Sequence, residues 1–133
     1  MVLGSKSLRS GFIKGLGNIP ALGQGAASTA VAYTATGAIK DADTVVDINS
    51  SGTVAAMTIP SSGFDVGRIL VITQIDAGTD GHTVTLTPTG ATFDGTNNTA
   101  TLNAQYEALV LVCISDKRFL ILKNYGSVAL SAV

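Results

Sequence analysis

The stretch from Glu107 to Asn124, EALVLVCISDKRFLILKN, constrains this chain more than any other. Two apolar runs, Ala108 to Ile114 and Phe119 to Leu122, flank a turn that carries Asp116, Lys117 and Arg118. Both runs are short, rich in Val, Ile, Leu and Phe, and without a helix cap, which predicts two buried β-strands joined as a hairpin. Successive side chains of a strand point to opposite faces. Leu109, Leu111 and Cys113 therefore share one face and Val110, Val112 and Ile114 the other, and both faces are apolar. Burying about ten such side chains contributes on the order of 20 kcal/mol, which is roughly what ordering the hairpin costs. The hairpin therefore needs another layer, from this chain or from a second copy of it.

The rest of the chain supplies more strands. From Ala30 onward apolar and polar residues alternate through Val31, Tyr33 and Ala35, through Thr44 to Ile48, and through Thr53 to Ile59. Turns at Thr36-Gly37, at Asn49 to Gly52 and at Pro60 to Gly63 separate these runs. Val66 to Ile75 is a long run apolar on both faces, and so a central strand. In His82 to Thr87, Val84 and Leu86 point inward and Thr83, Thr85 and Thr87 outward into water. A turn bracketed by Asp94-Gly95 and Asn97-Asn98 leads to Thr99 to Leu102 and the hairpin, with one helical turn expected near Asn103 to Tyr106. This spacing predicts an all-β domain over residues 30–133, an antiparallel β-sandwich or jelly-roll-like barrel of seven or eight short strands. The apolar tail Ser127 to Val133 reads as a last edge strand or as a segment that pairs across a subunit boundary.

Residues 1–29 differ in kind: glycine recurs, Pro20 interrupts, and no period of 2 or 3.6 persists. They read as an extended N-terminal arm that orders on a partner. Charge divides the same way, since Lys6, Arg9, Lys14 and Lys40 precede every acidic residue and all nine acids follow from Asp41 onward. The chain is thus a basic arm on an acidic body, with a net charge of −1 that offers no overall field for nucleic acid or an anionic membrane. Only 13% of its residues are charged against 46% hydrophobic, whereas soluble domains carry about 25% charged residues. Surface hidden in an assembly accounts for that shortfall.

Lys6 and Arg9 ahead of Gly11-Phe12-Ile13 have the outline of a signal peptide, but Lys14, Asn18 and Pro20 interrupt its apolar core. No run reaches the ~20 apolar residues of a membrane span, so synthesis in the cytoplasm is the expectation. Cys113, the only cysteine, sits in an apolar strand as a small hydrophobe and can form no intrachain disulfide.

Reactive chemistry is thinly represented. His82 is the only histidine and reads as a solvated residue at the start of a strand. Glycoside hydrolysis needs two placed carboxylates; Glu107 is the only glutamate, and the sequence brings no particular aspartate near it. Gly15-Leu16-Gly17 begins like a dinucleotide fingerprint, but Pro20 stands where the third glycine belongs. Asp76, Asp80 and Asp94 could gather oxygens around a cation, yet the acidic spacing of a calcium loop is missing and turn chemistry explains them. No residue is therefore assigned to catalysis, to a cofactor or to a metal, and the expectation is a protein that is not an enzyme.

From Val66 to Leu122 the sequence has a recognisable texture: Val84 to Pro88 (VTLTP), Asp94 to Thr96 (DGT), Ala100 to Leu102 (ATL), Leu109 to Ile114, and Phe119 to Leu122 (FLIL). It resembles modules in virion structural proteins of tailed bacteriophages, namely head decoration (cement) proteins and the β-modules of head and tail fibres. This chain has Phe119 where many such modules carry Trp. The resemblance implies a homotrimeric β-domain on the virion that stabilises the phage head by binding its major capsid protein, or else a receptor- or glycan-binding fibre tip. It implies no small-molecule substrate, specific nucleic acid or membrane. On that reading Val2, Leu3, Leu8, Phe12, Ile13, Leu16, Ile19 and Leu22 are apolar anchors of the arm on the capsid, and Lys6, Arg9 and Lys14 steer it to acidic shell surface.

Overall fold

The structure, a computed structural model, describes residues 30–133. Alternating apolar residues there produce ten strands: β1 (Val31–Tyr33), β2 (Gly37–Ala38), β3 (Val45–Ile48), β4 (Ala56–Ile59), β5 (Ile69–Gln74), β6 (His82–Leu86), β7 (Thr99–Leu102), β8 (Ala108–Ser115), β9 (Arg118–Tyr125) and β10 (Ala129–Ser131). Among the described residues one 3-10 turn, Ser61–Gly63, follows Pro60. The class is all-β, as the alternation predicts, and no helix among the described residues is long and apolar enough to cross a membrane.

The strands form two five-stranded sheets, ordered β1-β3-β5-β8-β9 and β10-β7-β6-β4-β2. The expected antiparallel arrangement of seven or eight strands is corrected on two counts. Two strands, β2 and β10, are too short to carry a periodic signal of their own. The sheets are also mixed, with β1-β3, β3-β5, β2-β4 and β4-β6 parallel and the other four pairings antiparallel. A jelly roll pairs its strands antiparallel throughout. The cause lies in the connections: the first six strands cross from one sheet to the other at every turn. Each crossing reverses the chain, so every second strand returns to its sheet in the original direction. Only after β6 does the chain make hairpins, β6-β7 and β8-β9.

Inward residues of both sheets meet in one core. Val46, Ile48, Leu70, Ile72, Leu109 and Leu111 come from the first sheet, and Met57, Ile59, Val84, Leu86 and Leu102 from the second. Phe64 meets Phe119 edge-on, with ring centroids 4.8 Å apart, where the connection before β5 closes over β9. The core is sealed at one corner by charged side chains that work as pins. Arg68 donates from Nη1 to Gly63 O (2.8 Å) and from Nη2 to Lys40 O (2.8 Å) and Asp43 O (2.9 Å). The Tyr33 hydroxyl donates to Asp43 and accepts from the Lys40 N–H, so the 39–44 connection is bonded to strand β1.

The segment expected to form a helical turn is a tight turn instead. Tyr106 adopts φ +68°, and the Glu107 carboxylate accepts the N–H groups of Asn103 and Ala104. A side-chain acceptor satisfies two backbone donors that the start of a helical turn would have left unpaired.

Candidate contact surfaces

The contact candidates Val2, Leu3, Lys6, Leu8, Arg9, Phe12, Ile13, Lys14, Leu16, Ile19 and Leu22 lie outside the described residues. What the described body offers to a ligand or partner is decided first by where its reactive groups point.

His82 is not a solvated strand-start residue: it is fully buried. It shares inward parity with Val84 and Leu86, and its Nδ1 accepts the Ala55 N–H at 2.9 Å. The neutral ring therefore carries its proton on Nε2, which has no hydrogen-bond partner. Glu107 is likewise buried and spent on the turn it caps. Burial is the main cause that pushes the Cys113 thiol upward, with Sγ donating to Ser115 O, so the thiolate needed for nucleophilic chemistry is disfavoured.

The aspartate-rich loop after β5 is organised around an amide. Gln74, fully buried, directs its Nε2 at Thr79 O (2.8 Å), Asp76 O (3.3 Å) and Asp80 Oδ1 (3.3 Å). Three oxygens of the loop are thus taken up by a neutral donor from the sheet beneath, while Asp76 Oδ2 is buried without a partner among the described residues. Asp76 Oδ1 accepts the Gly78 N–H, and Asp47 Oδ1 the Ile75 N–H. Burial, and after it the nearby Asp76, pushes the Asp47 carboxyl above its ordinary value against the pull of the Ile75 N–H. Asp94 is the opposite case: accepting the N–H groups of Asn97 and Thr96 and the Asn97 amide holds it below the usual carboxylate range. Among the described residues no group of three or more His, Cys, Asp or Glu is placed to hold a metal ion. His82, Glu107, Cys113, Asp47, Asp76 and Asp94 each make at least one hydrogen bond within the described body, while His82 Nε2 and Asp76 Oδ2 are buried without a partner there.

The outer faces of the two sheets differ sharply. On the β1-β3-β5-β8-β9 sheet, cross-strand register sets Val45 beside Val71, Val110 and Lys123, and Ile69 beside Val112 and Leu120. A bulge opposite Val110 and Leu111 leaves Leu122 without a partner. Ile114, Leu120 and Leu122 are 47%, 44% and 54% exposed, and Tyr125 is 61% exposed at the border. The sequence marks this face, since Val110, Val112 and Ile114 are as apolar as the buried set between them. The described residues leave it open.

On the other sheet one register row runs Ala38, Thr58, Thr85, Thr99 and Ser131 across all five strands. The next row runs Ala56, Thr83, Thr101 and Ala129. Small methyl and hydroxyl groups make it level and uncharged, and Thr85 and Thr99 bond to each other at 2.9 Å. This agrees with the wet outer face expected for Thr83 and Thr85. No protein-family model matches the chain, and no curated protein matches it significantly in sequence.

Proposed function

We propose that this protein is a non-enzymatic structural component of a virion, a capsid decoration or cement protein that binds and stabilises a phage head as a homotrimer. In this reading the two sheets form a β-sandwich body that assembles with its copies. Residues 1–29 are the arm that grips the major capsid protein, with Lys6, Arg9 and Lys14 steering and Leu8, Phe12, Ile13 and Leu16 anchoring. The protein is made in the host cytoplasm and ends on the head surface.

One observation carries the reading. The described body commits its imidazole, its thiol and its buried carboxylates to its own turns and core, yet presents an apolar sheet face whose central rows carry one exposed charge, Lys123. That distribution belongs to a building block and not to a site that turns over substrate. An arm laid over neighbouring capsid subunits adds stability by burying area on more than one of them, and three arms per trimer multiply the effect.

The test is co-sedimentation of the full chain with expanded, undecorated phage heads. Wild type is expected to pellet with the heads, and a chain carrying Leu8→Asp, Phe12→Asp and Ile13→Asp to stay in the supernatant with an unchanged circular dichroism spectrum. Equal binding by both removes the arm from the mechanism. Failure of wild type on heads, with binding to host cells or surface polysaccharide, would make the protein a fibre tip.

A further inference from the structure

We infer that the outer face of β5, β8 and β9 is the surface on which a second copy of this chain docks, in a head-to-tail sense that closes a ring. The number of copies rests on the homotrimer proposed above; the choice of face does not.

Three features select the face and its occupant. The first is apolarity. Large side chains near half exposure, Ile114, Leu120, Leu122 and Tyr125, stand on this face with the partly buried Val110 and Val112 among them. Exposed apolar groups gathered in this way on one face mark an interaction surface, and large apolar side chains of this kind form the centre of a protein interface. The second is the free edge of β9. From Leu120 to Tyr125 no backbone among the described residues pairs with the side of β9 away from β8. A long unpaired edge beside an apolar face invites association unless it is covered.

The third is charge. In the three rows from Asp47 to Leu120, Lys123 is the only exposed charged residue. A basic segment such as residues 1–29 finds no counter-charge there, and an acidic shell surface would lose its hydration for no ion pair beyond one. A second copy of the same apolar face has neither cost. Lys123 also decides the sense of the contact. A two-fold centred on β9 sets two ammonium groups against each other, whereas a head-to-tail contact lays β9 of one copy on the uncharged Val45 and Ile69 side of the next. The opposite sheet, with its level threonine and alanine rows, stays in water.

The experiment is solution mass by light scattering on the full chain at about 10 μM, a level at which an interface of standard size is occupied. Wild type is expected as a single species of three copies, and the Leu120→Asp, Leu122→Asp double variant as a monomer, a threefold fall in mass. Both leucines are solvent-facing in the single chain, so its circular dichroism and cooperative melting should persist. Thr101→Lys, on the other sheet, should keep the wild-type mass. A wild-type monomer, a dimer, or a double variant that stays fully assembled each overturns the inference. So does a wild-type monomer in which Leu120, Leu122 and Tyr125 resist hydroxyl-radical labelling, since the cover would then come from within the chain. The two proposals fail separately: trimers that ignore phage heads refute the decoration role alone, and monomers that bind heads refute this interface alone.

Discussion

Buried polar side chains carry much of the local order in this protein, and two of them, Asp47 and His82, can be tested by single substitutions. Asp47 has its carboxyl raised, so the folded state binds a proton more readily than the unfolded chain does. Stability from that protonation is present below the unfolded value of about 3.9 and is lost as pH rises through the higher folded value. Asn at this position keeps an oxygen for the Ile75 N–H and removes the buried charge. Asp47→Asn is therefore expected to melt at or above the wild-type temperature at pH 7, and the difference should vanish in acid; calorimetry at pH 7 and pH 3 checks both. His82 gives the opposite test. Replacing it with Leu leaves the Ala55 N–H buried and unpaired, a cost of about 1–3 kcal/mol that urea titration would read. The parity of His82 with Val84 and Leu86 was legible in the sequence and argues for burial. A solvated reading follows only from treating a polar side chain at a strand start as exposed. The role of Gln74 had no such signal, because an amide that reaches around a loop leaves no period.

Strands were easier to read than their partners. The central place of β5 follows from a run apolar on both faces, and the two side-chain sets of β8 and the outward threonines of β6 follow from period-two alternation. Alternation does not say which strand lies alongside, so the parallel pairings of the first six strands were not legible, and two-residue β2 lies below the length at which a pattern exists. The corner between β9 and β10 shows how tightly an element can depend on its connection. Asn124 there bonds the N–H and the C=O of Val128, at 2.8 and 2.9 Å. Gly126 in the same corner has φ +82°, and a Cβ on it would lie 2.7 Å from Glu107 Cγ and 3.3 Å from Glu107 Cα. Gly126→Ala is expected to combine backbone strain with that clash and to lower stability by more than about 1 kcal/mol. Thermal melting should show a drop of several degrees, with amide exchange accelerated first in Ala129–Ser131.

Over the molecule as a whole, both sheets draw on one core, so the described body should unfold as a unit. Leu111, fully buried at the centre of β8, is the place to test this: Leu111→Ala should cost about 2–5 kcal/mol and shift one transition instead of splitting it. Composition, with 13% of residues charged, leads one to expect apolar surface, and the described body does present an apolar sheet face. Composition could not say which sheet would carry that face, because Val66 to Ile75 and Ala108 to Ile114 are apolar on both sides and only the three-dimensional pairing leaves one side bare. The arm's residues, legible as a basic and apolar leader, lie beyond the described body and depend on the binding test above.

The zigzag of the first six strands also sets a timetable for synthesis. Strand β5 is hydrogen-bonded on one side to β3 and on the other to β8, and β6 on one side to β4 and on the other to β7. A ribosome delivers β8 and β9 late, so the early windings emerge with their inner borders bare and must wait for the final hairpins to close them. Such a chain is rich in distant pairings, and a fold of that kind completes slowly.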